Sequence, residues 1–73
     1  MEISICYKDS RGEYKSTRLD NLAEHTVVAK TAFFEWMAGE GLFATEITAE
    51  LIYAGEVIEL WDYEQGNRWI TVT

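Results

Sequence analysis

Seven carboxylates, Glu40, Glu46, Glu50, Glu56, Glu59, Asp62 and Glu64, recur every two to six residues through the second half of this chain. Paired carboxylates can do general acid and base chemistry, but only where a cleft raises one pKa and leaves the other low. A chain of 73 residues has no evident cleft of that depth. His25 is the single histidine, and it opens His-Thr-Val-Val-Ala rather than a zinc-binding His-Glu-x-x-His. Cys6 is the single cysteine and has no base or ligand partner at a useful spacing. Asp9-Ser10-Arg11-Gly12-Glu13 is too short for an EF-hand loop. The expectation is therefore a non-enzymatic protein with no catalytic residues, no metal and no cofactor. A small hydrolase built on a carboxylate pair is the weakest reading.

What the acids do instead is set the charge. Residues 1–19 carry Lys8, Arg11, Lys15 and Arg18 against Glu2, Asp9 and Glu13, whereas from Asp20 onward ten acids face only Lys30 and Arg68, giving the net −7. Charge excess keeps small proteins soluble, which is its usual explanation. A density this high also costs stability through self-repulsion and creates a field that steers association with a basic partner. It disfavours direct binding to nucleic acid or to anionic lipid, where Lys and Arg must neutralise phosphate.

The elements that position these residues follow from period and turn chemistry. Met1–Lys8 alternates apolar and polar with period 2, placing Ile3, Ile5 and Tyr7 on one face of a strand. Asp9–Gly12 is a turn, and Glu13–Leu19 reads as a polar edge strand in which Lys15 and Arg18 deter pairing with another chain. A helix is expected over Leu22–Ala38, capped by Asn21 with Glu24 reaching back, and closed by Gly39. Its core stripe is Leu22, Ala29, Phe33, Trp36 and Met37. Val27 and Phe34 lie on its flank, either covered by the sheet or forming a contact patch.

Gly41–Ala44 bridges to a third strand, Thr45–Tyr53; Ala54-Gly55 is a tight turn; a fourth strand, Glu56–Tyr63, and a fifth, Arg68–Thr73, flank a three-residue loop ending in Gly66. That register sets Trp61 opposite Trp69, Asp62 opposite Arg68, Leu60 opposite Ile70 and Ile58 opposite Val72. The whole is a single α+β domain over residues 1–73, ordered β-β-α-β-β-β, with one amphipathic helix on a twisted antiparallel sheet of about five strands. Ile3, Ile5, Leu19, Ile47, Leu51, Ile58, Leu60, Ile70 and Val72 are expected beneath the helix. Trp61, Tyr63, Trp69, Ile52 and Val57, with Glu46, Glu50 and Glu59 among them, are expected on the other face.

One helix cannot cover both faces of such a sheet. The outer aromatics are then either interface anchors or a cross-strand pair shielding a twisted sheet. Base stacking on them would need a basic groove, and Glu46, Glu50 and Glu59 repel phosphate. Aromatic content of 14% argues for a folded chain, since each ring can bury roughly 150–250 Å². A lone cysteine, an N-terminus without a signal-peptide pattern and the lack of a long apolar run point to the cytoplasm.

The tail Ile58-Glu59-Leu60-Trp61-Asp62-Tyr63-Glu64-Gln65-Gly66-Asn67-Arg68-Trp69-Ile70 resembles the last hairpin of a sheet-and-helix anti-CRISPR protein. There too a Trp-containing strand and a Gly-containing turn precede Arg-Trp and a β-branched residue. Size and element order are similar to small phage-encoded inhibitors of that kind. The resemblance implies an inhibitor, but that relative engages a guide-RNA-containing complex through basic residues, whereas this chain is acidic. The mode it implies here is acids occupying a basic nucleic-acid-binding surface of a target protein. The expected contact residues are Glu46, Glu50, Glu59, Trp61, Asp62, Tyr63, Glu64 and Trp69, on a monomer or a homodimer. A structural or oligomeric accessory domain, with the Trp/Tyr face as a homo-interface, is the alternative.

Overall fold

The computed structural model describes residues 1–41 and 46–72. The bridge 42–44 and the expected start of the third strand at Thr45 therefore lie outside the described residues. The chain runs β1 (Glu2–Lys8), β2 (Tyr14–Leu19), α1 (Thr26–Glu40), β3 (Ile47–Tyr53), β4 (Glu56–Asp62), a short 3₁₀ turn (Tyr63–Gln65) and β5 (Arg68–Thr71). The strands form one open antiparallel sheet in the order β2-β1-β3-β4-β5. β1 sits inside, paired on both edges, because its alternation of Ile3 and Ile5 with polar residues serves a buried face and an open one.

The helix starts four residues later than the sequence suggests. Asn21 takes a left-handed φ of 59°, which breaks the helix rather than capping it. Leu22 instead exchanges two hydrogen bonds with Met1: its N–H donates to the Met1 carbonyl at 3.1 Å, and the Met1 ammonium donates to its carbonyl at 3.0 Å. This staples the segment before α1 to the start of β1, and His25, in extended geometry, occupies the cap position without a side-chain cap bond. At the other end the helix runs through Gly39 and stops at Gly41, whose φ of 67° lets its N–H reach back to the Ala38 carbonyl.

The core is Ile3, Ile5, Ala29, Phe33, Met37, Ile47, Ala49, Leu51 and Trp61. Phe33 is its centre, stacked with Trp36 and edge-on to both Trp61 and Trp69 at centroid distances of 5.2 and 5.1 Å.

That cluster corrects the expected assignment of faces. Ala54 and Gly55 form the tight turn, both at positive φ (51° and 79°), so Tyr53 pairs with Glu56 and Ile52 with Val57. Beyond them Leu51 pairs with Glu59 rather than Ile58: a β-bulge inserts one extra residue into β4. From that point the alternation of β4 and β5 is inverted. Glu59, Trp61 and Trp69 turn toward the helix; Leu60, Asp62 and Ile70 turn to the open face. The energetic reason is area, because two indoles bury more apolar surface against Phe33 than Leu60 and Ile70 could, at about 25 cal/mol per Å².

The β4–β5 register itself matches the expectation, with Trp61 opposite Trp69, Leu60 opposite Ile70 and Asp62 opposite Arg68. Tyr63 leaves the strand for the 3₁₀ turn. The loop is thus longer than three residues, with Gly66 and Asn67 both left-handed at 89° and 52°.

Candidate functional site: the open face of the sheet

The face away from the helix is uncovered among the described residues. Its strand positions alternate with the buried ones: Glu2, Ser4, Cys6 and Lys8 on β1, Tyr14, Ser16 and Arg18 on β2, Thr48, Glu50 and Ile52 on β3, Val57, Leu60 and Asp62 on β4, Arg68 and Ile70 on β5. A concavity of about 510 Å³ lies in its middle, lined by the apolar Cys6, Leu60 and Ile70 together with the polar Glu50, Asp62 and Gln65. Leu60 is 38% exposed there.

Charge divides this face into two halves. On the β1–β2 half, Arg18 bridges Glu2 at 3.2 Å and the Lys8 ammonium lies 5.6 Å from the Tyr14 ring centroid. On the β3–β4 half, Glu50 pairs across the ladder with Leu60, and Thr48 with Asp62, so Glu50 and Asp62 are diagonal neighbours on one surface. Glu46 joins them just before β3, where its Oε2 accepts a hydrogen bond from Tyr14 Oη at 3.4 Å. Among the described residues none of Glu46, Glu50, Asp62 and Glu64 bridges a cation; the three ion pairs use Asp9, Glu2 and Glu59.

The turn after β4 extends the acidic half. Asp62 Oδ1 accepts the Glu64 N–H at 2.9 Å and so fixes the turn, while Tyr63 Oη donates to Glu64 Oε1 at 3.2 Å. Loss of hydration, reinforced by the fields of Glu46 and Glu64, raises the Tyr63 phenol above its ordinary pKa. The same phenol therefore senses an acid just before β3 and an acid from the turn.

Of the eight contact residues expected from sequence, five gather on or beside this surface: Glu46, Glu50, Asp62, Tyr63 and Glu64. Three do not. Trp61 is 6% exposed and packs on Phe33 and Phe34 of the helix. Trp69 also packs on Phe33. Glu59 is held by Lys30 of the helix at 2.7 Å, with its side chain only 13% exposed. The bulge carries all three away together.

Sequence reasoning missed Leu60, Ile70 and Cys6 as the apolar centre. The signal that could have found them is side-chain size: with one helix to fill against, the largest rings belong under it. Val27, at 68% exposure, is left open by the sheet, whereas Phe34, at 43%, is partly covered by Trp61 of β4; the two make an apolar helix flank on the β4 side.

These residues offer charge and apolar contact. No three His, Cys, Asp or Glu side chains among the described residues converge on a metal position. No described helix is long and apolar enough to cross a membrane. Compared with known proteins, the chain matches no protein-family model, no curated protein and no solved structure.

Proposed function

We propose that this is a non-enzymatic binding protein whose acidic half-face docks on a Lys/Arg-rich, nucleic-acid-binding surface of a partner protein and inhibits it by occupancy. The observation that supports this is the grouping of Glu46, Glu50 and Asp62 on one uncovered sheet face, without bridging cations among the described residues, beside an apolar centre of Leu60 and Ile70. Unpaired like charges held together are a stability liability unless a complementary surface meets them. The apolar centre supplies the part of an interface that excludes water. An exposed thiol at Cys6 suits work in a reducing compartment, the cytoplasm.

The alternative, a homo-interface on a Trp-bearing outer face, loses its anchors because both indoles lie on the helix side. The anchors of the proposed surface are Leu60 and Ile70.

The test is capture of a basic protein from host lysate at low salt, followed by measurement of its DNA or RNA binding with and without this protein. Binding to it should weaken about tenfold or more between low and physiological salt. Glu50→Lys should weaken it similarly. An affinity indifferent to both salt and Glu50→Lys sinks the proposal.

A further inference from the structure

The two edges of the sheet are unlike. The β2 edge carries Lys15 and Arg18, charges that discourage strand addition. The β5 edge, Arg68–Thr71, has no proline, lysine or bulge, and residues 65–73 carry no acidic side chain. The hydrogen-bond alternation shows which groups face outward. Val72 N–H donates to the Ile58 carbonyl at 2.9 Å, so Arg68, Ile70 and Val72 direct their backbone groups at β4. The N–H and C=O of Trp69 and Thr71 then point away from the sheet.

We propose that β5 pairs with β5 of a second copy of this chain, antiparallel, about a two-fold axis at Ile70. That register closes on itself. Trp69 and Thr71 of each copy exchange N–H···O=C bonds with Thr71 and Trp69 of the other, and the two Ile70 side chains meet directly on the open face.

The occupant is a second copy for a reason of charge. In a molecule of net −7, two copies can approach only where acids are absent or neutralised. β5 itself carries one Arg and no acid. Of the nearest acids of β4, Glu59 is neutralised by Lys30 at 2.7 Å, while Asp62 bridges no cation among the described residues but lies one strand in from the edge, across the ladder from Arg68.

The exposed flank of Val27 and Phe34 lies on the same side of the molecule, since Lys30 and Phe34 of that flank touch β4 while Trp36 on the opposite flank touches Tyr7 of β1. Pairing at β5 brings the two flanks to either side of one seam floored by Trp69. The paired sheets present one continuous open face, so the proposal goes beyond the binding role above and does not depend on it.

Sedimentation of the isolated protein from micromolar to millimolar concentration tests it. The expected mass at the upper end is twice the 8.4 kDa of the chain. Amide exchange adds a residue-level readout: Trp69 and Thr71 should become protected as concentration rises, while Arg68 and Ile70 stay unchanged. Thr71→Pro removes an outward N–H that β4 does not use, and should give a folded monomer by circular dichroism. If that variant loses the fold, Val27→Glu, at a residue already mostly exposed, should weaken the dimer about tenfold by placing two acids at the seam. A monomer throughout, a dimer that survives in folded Thr71→Pro, or one indifferent to Val27→Glu would each overturn the proposal.

Discussion

Asp9 shows how a single side chain organises the β1–β2 hairpin. Its Oδ1 accepts the N–H groups of Arg11 and Glu13, each at 2.9 Å, and its Oδ2 lies 3.3 Å from Lys15 Nζ. The Glu13 N–H first, then Arg11 and Lys15, hold its pKa below the ordinary carboxylate value. A depressed pKa contributes stability that is present above the unfolded value of about 3.9 and is lost as pH falls through the folded value. The hairpin amides should therefore lose exchange protection below about pH 4. In Asp9→Asn that pH dependence should vanish; if it persists unchanged, another group holds the turn. Glu59 offers the second test at this scale. It is mostly buried and its ion-pair partner among the described residues is Lys30, so Glu59→Gln leaves a half-buried ammonium without that counter-charge. Allowing for the solvent that still reaches Lys30, a loss of about 1–2 kcal/mol is expected, or a fall of roughly 4–16 °C in thermal midpoint. Glu50→Gln, on the open face, should cause no such loss. Equal losses in both variants would mean that Glu59 is not held against the helix.

The β3–β4 hairpin decides which residues face a partner, and its turn is its weakest local element. Ala54 has a φ of 51°, a left-handed conformation that disfavours a Cβ by roughly 1–2 kcal/mol, and Asn is the usual companion of Gly in such a turn. Ala54→Asn should stabilise the fold by about 0.5–1 kcal/mol, read as a higher midpoint in urea with an unchanged slope. A lower midpoint would show that the turn is not of this type. The limits of what the sequence discloses sit in the same hairpin. Alternation in β1 and β3, the Ala54-Gly55 turn and the Trp61–Trp69 register are all local patterns, and the structure contains each of them. The bulge at Ile58 is not local: Val57-Ile58 is ordinary strand composition, and the extra residue is selected by where the indoles find Phe33. Because alternation has period 2, that one residue exchanged Glu59, Trp61 and Trp69 for Leu60, Asp62 and Ile70. The acids Glu46 and Glu50 were legible as surface residues because they precede the bulge. The helix start was misread for a related reason: Asn21 and Glu24 satisfy a capping pattern, but the Met1–Leu22 staple holds the segment out of the helix.

At the scale of the whole molecule, the question is whether the charge excess is spread for solubility or concentrated for binding. Among the described residues three of the six cations are committed to ion pairs, with Asp9, Glu2 and Glu59, and two of those pairs belong to the β1–β2 half. The other half holds Glu46, Glu50, Asp62 and Glu64 with Arg68 as its cation, and two of these acids are close enough to act on one phenol, Tyr63. Repulsion of this kind is screened by salt, with a Debye length of about 10 Å at 0.1 M. The folded state should therefore gain stability as sodium chloride is raised from a few millimolar to about 0.1–0.2 M. Neutralising one of the clustered acids, in Glu46→Gln or Glu50→Gln, should stabilise the protein at low salt by up to about 0.5 kcal/mol, or roughly 2–4 °C. The gain should shrink once salt screens the cluster. Neutralising Glu24, in the segment before α1, or Glu35 on the exposed helix face, both away from the cluster, should change little. An acid whose removal stabilises the fold and weakens a complex is one retained for contact, and thermal melts across salt for these four variants distinguish that pattern from a uniform solubilising coat. Equal and negligible effects at all four positions would leave the acidic half-face without a reason to be a binding surface.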